Sequence, residues 1–196
     1  MKRLVSILIA GALVLSFASV ASAVSHKLRV ETGGAGQAFV FSSTSAQLRV
    51  SGSANGVDYA AIYTKSKVPA GKQLSKVDMG FRIAAPQGQT GYVQGGAPRL
   101  TIPIDFNGDG AWDDFASIDW ASCGGTVDGT GKLTSSVLVS TTSSTCGVHL
   151  NGGGSYADWD AFAAANPTYR IAKGQQAFII ADWGPTAVNL TAIDLQ

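Results

Sequence analysis

Apolar residues recur at every second position along much of this chain, and Gly- or Pro-rich tracts interrupt them at short intervals. Val57, Tyr59, Ala61 and Tyr63 form one run, Val77, Met79, Phe81 and Ile83 another, and Leu100, Ile102 and Ile104 a third. Phe178 with Ile180, then Val188 with Leu190, repeat the pattern near the end. Side chains two apart leave the same side of a strand, so each run is expected to bury that side and wet the other. Gly33-Gly34-Ala35-Gly36, Ala54-Asn55-Gly56, Pro69-Ala70-Gly71, Pro86-Gln87-Gly88 and Gly95-Gly96-Ala97-Pro98 carry turn chemistry. Many short strands at this spacing predict an all-β fold, a two-sheet antiparallel sandwich of jelly-roll type. Pro103 lacks an amide hydrogen, which predicts an edge position or a bulge for its strand.

One stretch departs from period two. Trp159, Phe162 and Ala163 fall at i, i+3 and i+4, the apolar stripe of a short helix. Ser155 is expected to cap its first amides, the Asp158 carboxylate suits its positive end, and Asn166-Pro167 stops it. Between Gly124 and Ser144 the chain is rich in Gly, Ser and Thr, with a strand expected at Ser136 to Ser140.

The ends set the compartment. Lys2 and Arg3 precede the apolar run Leu4 to Val20, and Ala21-Ser22-Ala23 is a small-x-small cleavage signal. That order predicts a secretory signal peptide over residues 1–23 and one mature domain over 24–196, secreted or periplasmic, with no membrane span after cleavage. The whole chain has 14 basic and 13 acidic residues, and loss of Lys2 and Arg3 leaves 12 against 13, a formal −1. A nearly neutral chain without a basic cluster offers no phosphate-binding face, so nucleic acid is not an expected partner. The only cysteines, Cys123 and Cys146, are expected to pair in an oxidising compartment.

One run carries metal chemistry. Ile104 is followed by Asp105-Phe106-Asn107-Gly108-Asp109-Gly110-Ala111-Trp112-Asp113-Asp114. Oxygen-bearing side chains stand at positions 1, 3 and 5, a Gly at 6 and an Asp at 9, the pattern a loop needs to curl around a hard cation. Asp105, Asn107, Asp109 and Asp113 would give side-chain oxygens and Ala111 its carbonyl. Calcium is the expected ion, since magnesium demands a tighter octahedron and keeps its waters. Without an ion, these side chains would serve as acceptors for the local backbone of an acidic turn.

Over about ten residues this run resembles the calcium loops of EF-hands and dockerins. It is more similar to the shorter Asp-x-Asn-x-Asp-Gly-x-x-Asp loops of integrin α-chain and thrombospondin-type repeats. It departs from an EF-hand at position 12, where Ala116 stands instead of a bidentate Glu, and in its flanking strands. The resemblance implies a structural ion and no calcium-driven opening, since the paired helices that would move are absent.

No strong catalytic motif stands beside it. Glu31 is the only glutamate, so an acid/base pair would need aspartates, with Asp58, Asp119 and Asp182 the candidates beside aromatic residues. His26 and His149 have no metal-ligand spacing, and no Gly-x-Ser-x-Gly or Ser-x-x-Lys occurs. Among the aromatics, Trp112 sits inside the polar loop and is the candidate for ligand contact, whereas Trp120 and Trp159 are expected in the core. The leading expectation is a non-catalytic module that binds an extracellular polysaccharide or cell-surface component. A structural subunit of an envelope, sheath or filament is the alternative, self-associating through the extended segment His26 to Glu31. A small hydrolase with paired aspartates is a third.

Overall fold

The computed structural model describes residues 27–52, 57–64 and 71–196. The leader with its cleavage site, His26, the Ala54-Asn55-Gly56 turn and Pro69-Ala70 lie outside the described residues. Among these residues thirteen strands and one α-helix follow in order: β1 Leu28–Gly33, β2 Gly36–Ser42, β3 Ser45–Val50, β4 Tyr59–Thr64, β5 Met79–Ile83, β6 Arg99–Asp105 and β7 Asp114–Asp119. Then come β8 Val137–Ser140, β9 Val148–Leu150, β10 Ser155–Tyr156, the helix α1 Trp159–Ala165, β11 Arg170–Ile171, β12 Phe178–Ala181 and β13 Thr186–Leu195.

They form two antiparallel sheets, as the alternation predicts. The larger has the order β1-β4-β12-β6-β7-β9-β10, with β11 also on β6, and the smaller has the order β2-β3-β13-β5-β8. Their inner faces meet through Leu48, Ile62, Phe81, Ile83, Leu100, Ile102, Ile104 and Val188, all fully buried. Burial of a side chain of this size is worth about 1.5–3 kcal/mol against exposure, so this interior outweighs any single polar contact. Strand β13 points Val188 and Leu190 inward, then Ile193 and Leu195. The change of parity is absorbed at Ala192, where φ is 48° and the register with β5 breaks between Thr191 and Asp194. An L-residue in that conformation costs about 1–2 kcal/mol, which burial of the last two side chains offsets.

Three local expectations need correction. In β4 the fully enclosed residues are Ala60 and Ile62, and in β12 they are Ile179 and Ala181. Tyr59, Tyr63, Phe178 and Ile180 therefore face outward, half-buried. Both parities of these strands are apolar, so period two alone does not say which faces in. Pro103 lies in a central strand, not at an edge: β7 pairs β6 on one side, and β12 and then β11 on the other. β12 stops at Thr101 and β11 begins at Ile104, so Pro103 sits at the seam between two neighbours, its carbonyl accepting from Ala172 N (3.1 Å). The cap of α1 is Asp158, whose Oδ1 accepts from Ala161 N at 2.7 Å, because Ser155 is drawn into β10. Trp159, Phe162 and Ala163 are buried as the stripe requires, and Trp159 Nε1 donates to Leu74 O at 2.8 Å.

Cys123 and Cys146 are bonded, tying the turn after β7 to the start of β9. The bridge encloses β8, which crosses to the other sheet, so it fastens one sheet to the connection reaching the second. Loop-closure entropy for this separation corresponds to about 3 kcal/mol. Paired Cys123→Ser and Cys146→Ser replacement should lower the unfolding free energy by about that amount, read from urea denaturation; an unchanged midpoint would remove the bridge from the list of stabilising features.

Candidate functional site

Two features of the larger sheet lie side by side: the acidic loop between β6 and β7, and the solvent face of the strands that follow. The loop begins at Asp105, the last residue of β6, only 1 % exposed. Its Oδ1 accepts from Gly108 N (2.7 Å) and Asn107 N (3.2 Å), and its Oδ2 from Gly110 N (2.7 Å). Asn107 Oδ1 accepts from Asp109 N, Asp109 Oδ1 from Ala111 N, and Asp113 Oδ2 from Phe106 N. Gly108 and Gly110, at φ +83° and +89°, supply the left-handed turns that let successive amides converge on these oxygens. Asp113 N to Ile104 O closes the loop at 2.9 Å.

The donor set suits calcium, because every side-chain acceptor is a hard oxygen and Asn107, Asp109, Ala111 and Asp113 are exposed. These side-chain oxygens accept from backbone amides of the loop itself. Among the described residues no three His, Cys, Asp or Glu side chains are gathered into a metal-holding group. Asp105, Asn107, Asp109 and Asp113, with the Ala111 carbonyl, are the groups that would hold such an ion.

The loop is anchored by aromatics on both sides. Phe106 stacks on Tyr169 with centroids 4.6 Å apart, and Tyr169 meets Phe162 of α1 at 6.3 Å. Trp112 is 46 % exposed and leans on Phe115 at 4.7 Å, and Phe115 meets Phe178 edge-on at 5.5 Å. Phe178 is opposite Tyr63 in the β4–β12 register. A row of rings thus runs from the loop across the outer face: Trp112, Phe115, Phe178, Tyr63, and Tyr59 four residues back along β4 on the same side. The last three line a groove of about 350 Å³ with Glu31, Gln175 and Gln176 at its polar margin. The Tyr59 hydroxyl donates to Glu31 Oε1 at 2.9 Å, and that bond to a carboxylate holds the phenol above its ordinary pKa.

Sequence reasoning singled out Trp112 and missed the groove, because it assigned Tyr59, Tyr63 and Phe178 to the core. The available signal was that β4 and β12 are apolar at both parities, more than one buried face needs. Trp120 and Trp159 are buried as expected. The aspartates proposed for hydrolysis have other partners. Asp182 is held by a two-pronged ion pair with Arg99, Asp119 Oδ1 accepts from Ser122 N (2.7 Å), and Asp58 Oδ1 accepts from Ala35 N (2.6 Å). Arg99 lies opposite Asp119 in the β6–β7 register, so a cation stands between the two nearer carboxylates.

Fold and site together define an all-β two-sheet sandwich with an aromatic groove on one outer face and an Asx-rich loop at its end. No family model, curated protein or solved structure matches this chain.

The close approach at Gly110 gives a test of the loop. A Cβ there would come within 2.8 Å of Lys173 Cδ, on a backbone that disfavours side chains. Gly108→Ala, with open space around it, should cost about 1–2 kcal/mol for the backbone alone, and Gly110→Ala more than that, in thermal or urea unfolding; equal losses would show that Lys173 does not matter.

Proposed function

We propose that this protein is a secreted or periplasmic, non-catalytic module that binds a glycan or similar surface polymer along the outer face of its larger sheet. Calcium, held by Asp105, Asn107, Asp109, Asp113 and the Ala111 carbonyl, would brace the loop that carries Trp112. The observation that carries this reading is the row of solvent-facing rings from Trp112 to Tyr59. Apolar groups are left half-exposed there although the same strands have a full core face, and a contiguous apolar surface with a polar margin is what a ligand groove requires. Rings stack on the apolar faces of sugars, while Gln175, Gln176 and Glu31 offer hydrogen bonds to hydroxyls. The groove has no basic cluster, so an uncharged or weakly charged polymer suits it better than a polyanion. The disulfide agrees with an oxidising compartment, and among the described residues no helix is long and apolar enough to cross a membrane.

Affinity electrophoresis through gels of soluble polysaccharides should retard the protein on at least one neutral polymer. Tyr63→Ala and Phe178→Ala should each weaken that retardation about tenfold, near 1.4 kcal/mol per ring. Normal migration on every polymer tested would count against the reading.

Calcium has its own readout. At about 100 times its dissociation constant an ion adds about 2.7 kcal/mol, which for a chain of this size raises the melting temperature by roughly 5–10 °C. Asp109→Asn with Asp113→Asn should abolish that rise. Identical melting in chelator and in millimolar calcium salt would remove the metal from the proposal.

A further inference from the structure

The sandwich is open along one side. Strand β1 is the terminal strand of the larger sheet and β2 that of the smaller, so both edges lie on the same flank. Val30 is opposite Ile62, and Val40 opposite Ala46, both partners fully buried, so these two valines point toward the inter-sheet space. Yet Val30 is 44 % and Val40 40 % exposed, because no further strand closes the sandwich there among the described residues. Edge strands are ordinarily blunted by Pro, Lys, a bulge or an inward charge. In β2 a register break after Val40 does this in part. β1 has no Pro and no bulge: Leu28-Arg29-Val30-Glu31-Thr32-Gly33 pairs with β4 in unbroken register, and Arg29 and Glu31 are its charges.

The charges on β1 name the occupant. Arg29 and Glu31 flank Val30 and share the outer face of the strand. Among the described residues the one close ion pair is Arg99 with Asp182, so Arg29 makes none within its own molecule. Antiparallel pairing of β1 with another β1 about a two-fold axis at Val30 places Val30 against its own copy. It also sets Arg29 against the partner's Glu31, twice. Residues directly opposite in an antiparallel pair interact most strongly, and opposite charges there are favourable while like charges are not. A two-fold contact uses one patch twice and must be self-complementary, and this strand is.

We propose that β1 is a homodimer interface, through which two copies join edge to edge into one continuous larger sheet centred on Val30. Val30 is then covered by the other copy, and the two outer grooves come to lie on the same face of the joined sheet. The inference does not depend on what the groove binds.

The test is charge exchange followed by sedimentation equilibrium, from low micromolar to submillimolar protein. The native chain should associate reversibly to a dimer. Arg29→Glu sets two acidic pairs in opposition and Glu31→Arg two basic ones, so each variant alone should associate at least tenfold more weakly. An equimolar mixture of the two variants restores opposite charges at both positions and should recover a heterodimer of native affinity. That recovery also verifies that both variants are folded. Val30→Lys should weaken association in the native background. A native chain that stays monomeric over the whole range overturns the proposal, and so does a single variant that dimerises as well as the native chain. A mixture that remains monomeric while the native chain dimerises overturns the register and with it the interface.

Discussion

Strand β6 is buried on both faces, and the remainder of the larger sheet is arranged around that fact. Leu100, Ile102 and Ile104 fill the space between the sheets, while Thr101, Pro103 and Asp105 on the other face are also covered. A strand enclosed on both sides needs neighbours for its whole backbone, and β7, β12 and β11 provide them. The seam between β12 and β11 falls at Pro103, where an amide donor is missing anyway. Both parts of the candidate site are direct extensions of this strand: the acidic loop leaves from its last residue, and the aromatic row runs over its outer face. Asp105 shows how tightly the two are joined, since a carboxylate that deep is tolerable only with hydrogen bonds to it, and three amides of the loop supply them.

The cost of covering that outer face is visible at Thr101 and Ser117. They are cross-strand neighbours, both buried, and neither hydroxyl has a hydrogen-bond partner. A buried donor left unsatisfied costs about 1–3 kcal/mol. Ring neighbours stand on either side: Phe178 opposite Thr101 in register, and Phe115 two residues before Ser117 in β7. The sheet therefore accepts an energetic cost to hold rings on a surface whose other side already supplies the core. Packing of the inner faces does not require these rings, which agrees with the proposal that the outer row forms a ligand groove.

How much of this was legible in the sequence depends on whether each strand had one apolar parity or two. In β5 and β6 only one parity is continuously apolar apart from Pro103, and Met79, Phe81, Ile83, Leu100, Ile102 and Ile104 are in the core as read. In β4 and β12 both parities are apolar, and the larger side chains, Tyr59, Tyr63 and Phe178, drew the assignment inward when the smaller Ala60, Ile62, Ile179 and Ala181 were the ones enclosed. Tertiary pairing decides such cases: β4 and β12 are neighbours although more than 100 residues separate Tyr63 from Phe178. The cysteine pair and the apolar stripe of α1 were readable because each depends on few contacts. The Asp158 cap was not, since pairing of Ser155 with His149 across β9 and β10 competes with the helix for the same residue. The Asx pattern from Asp105 to Asp113 gave a loop and its donors, and the backbone bonds account for its shape. Trp112 was singled out correctly as exposed, but its stacking on Phe115 joins it to a surface no local pattern reveals.

Glu31 is where the groove and the edge meet. It accepts the Tyr59 hydroxyl at the groove margin, and it belongs to the strand whose partner-facing charge would be met by Arg29 of a second copy. One carboxylate has two oxygens and several acceptor positions, so both contacts can be made together only if they approach from different sides. A ligand hydroxyl donating to Glu31 would leave its charge in place and so would not oppose pairing. A ligand cation there would screen the charge and weaken the dimer, and by reciprocity the dimer would bind that ligand less well. The groove's chemistry and the edge's chemistry thus constrain each other: the self-pairing that the charges on β1 favour is compatible with an uncharged polymer on the neighbouring face, and a cationic one would have to compete with Arg29.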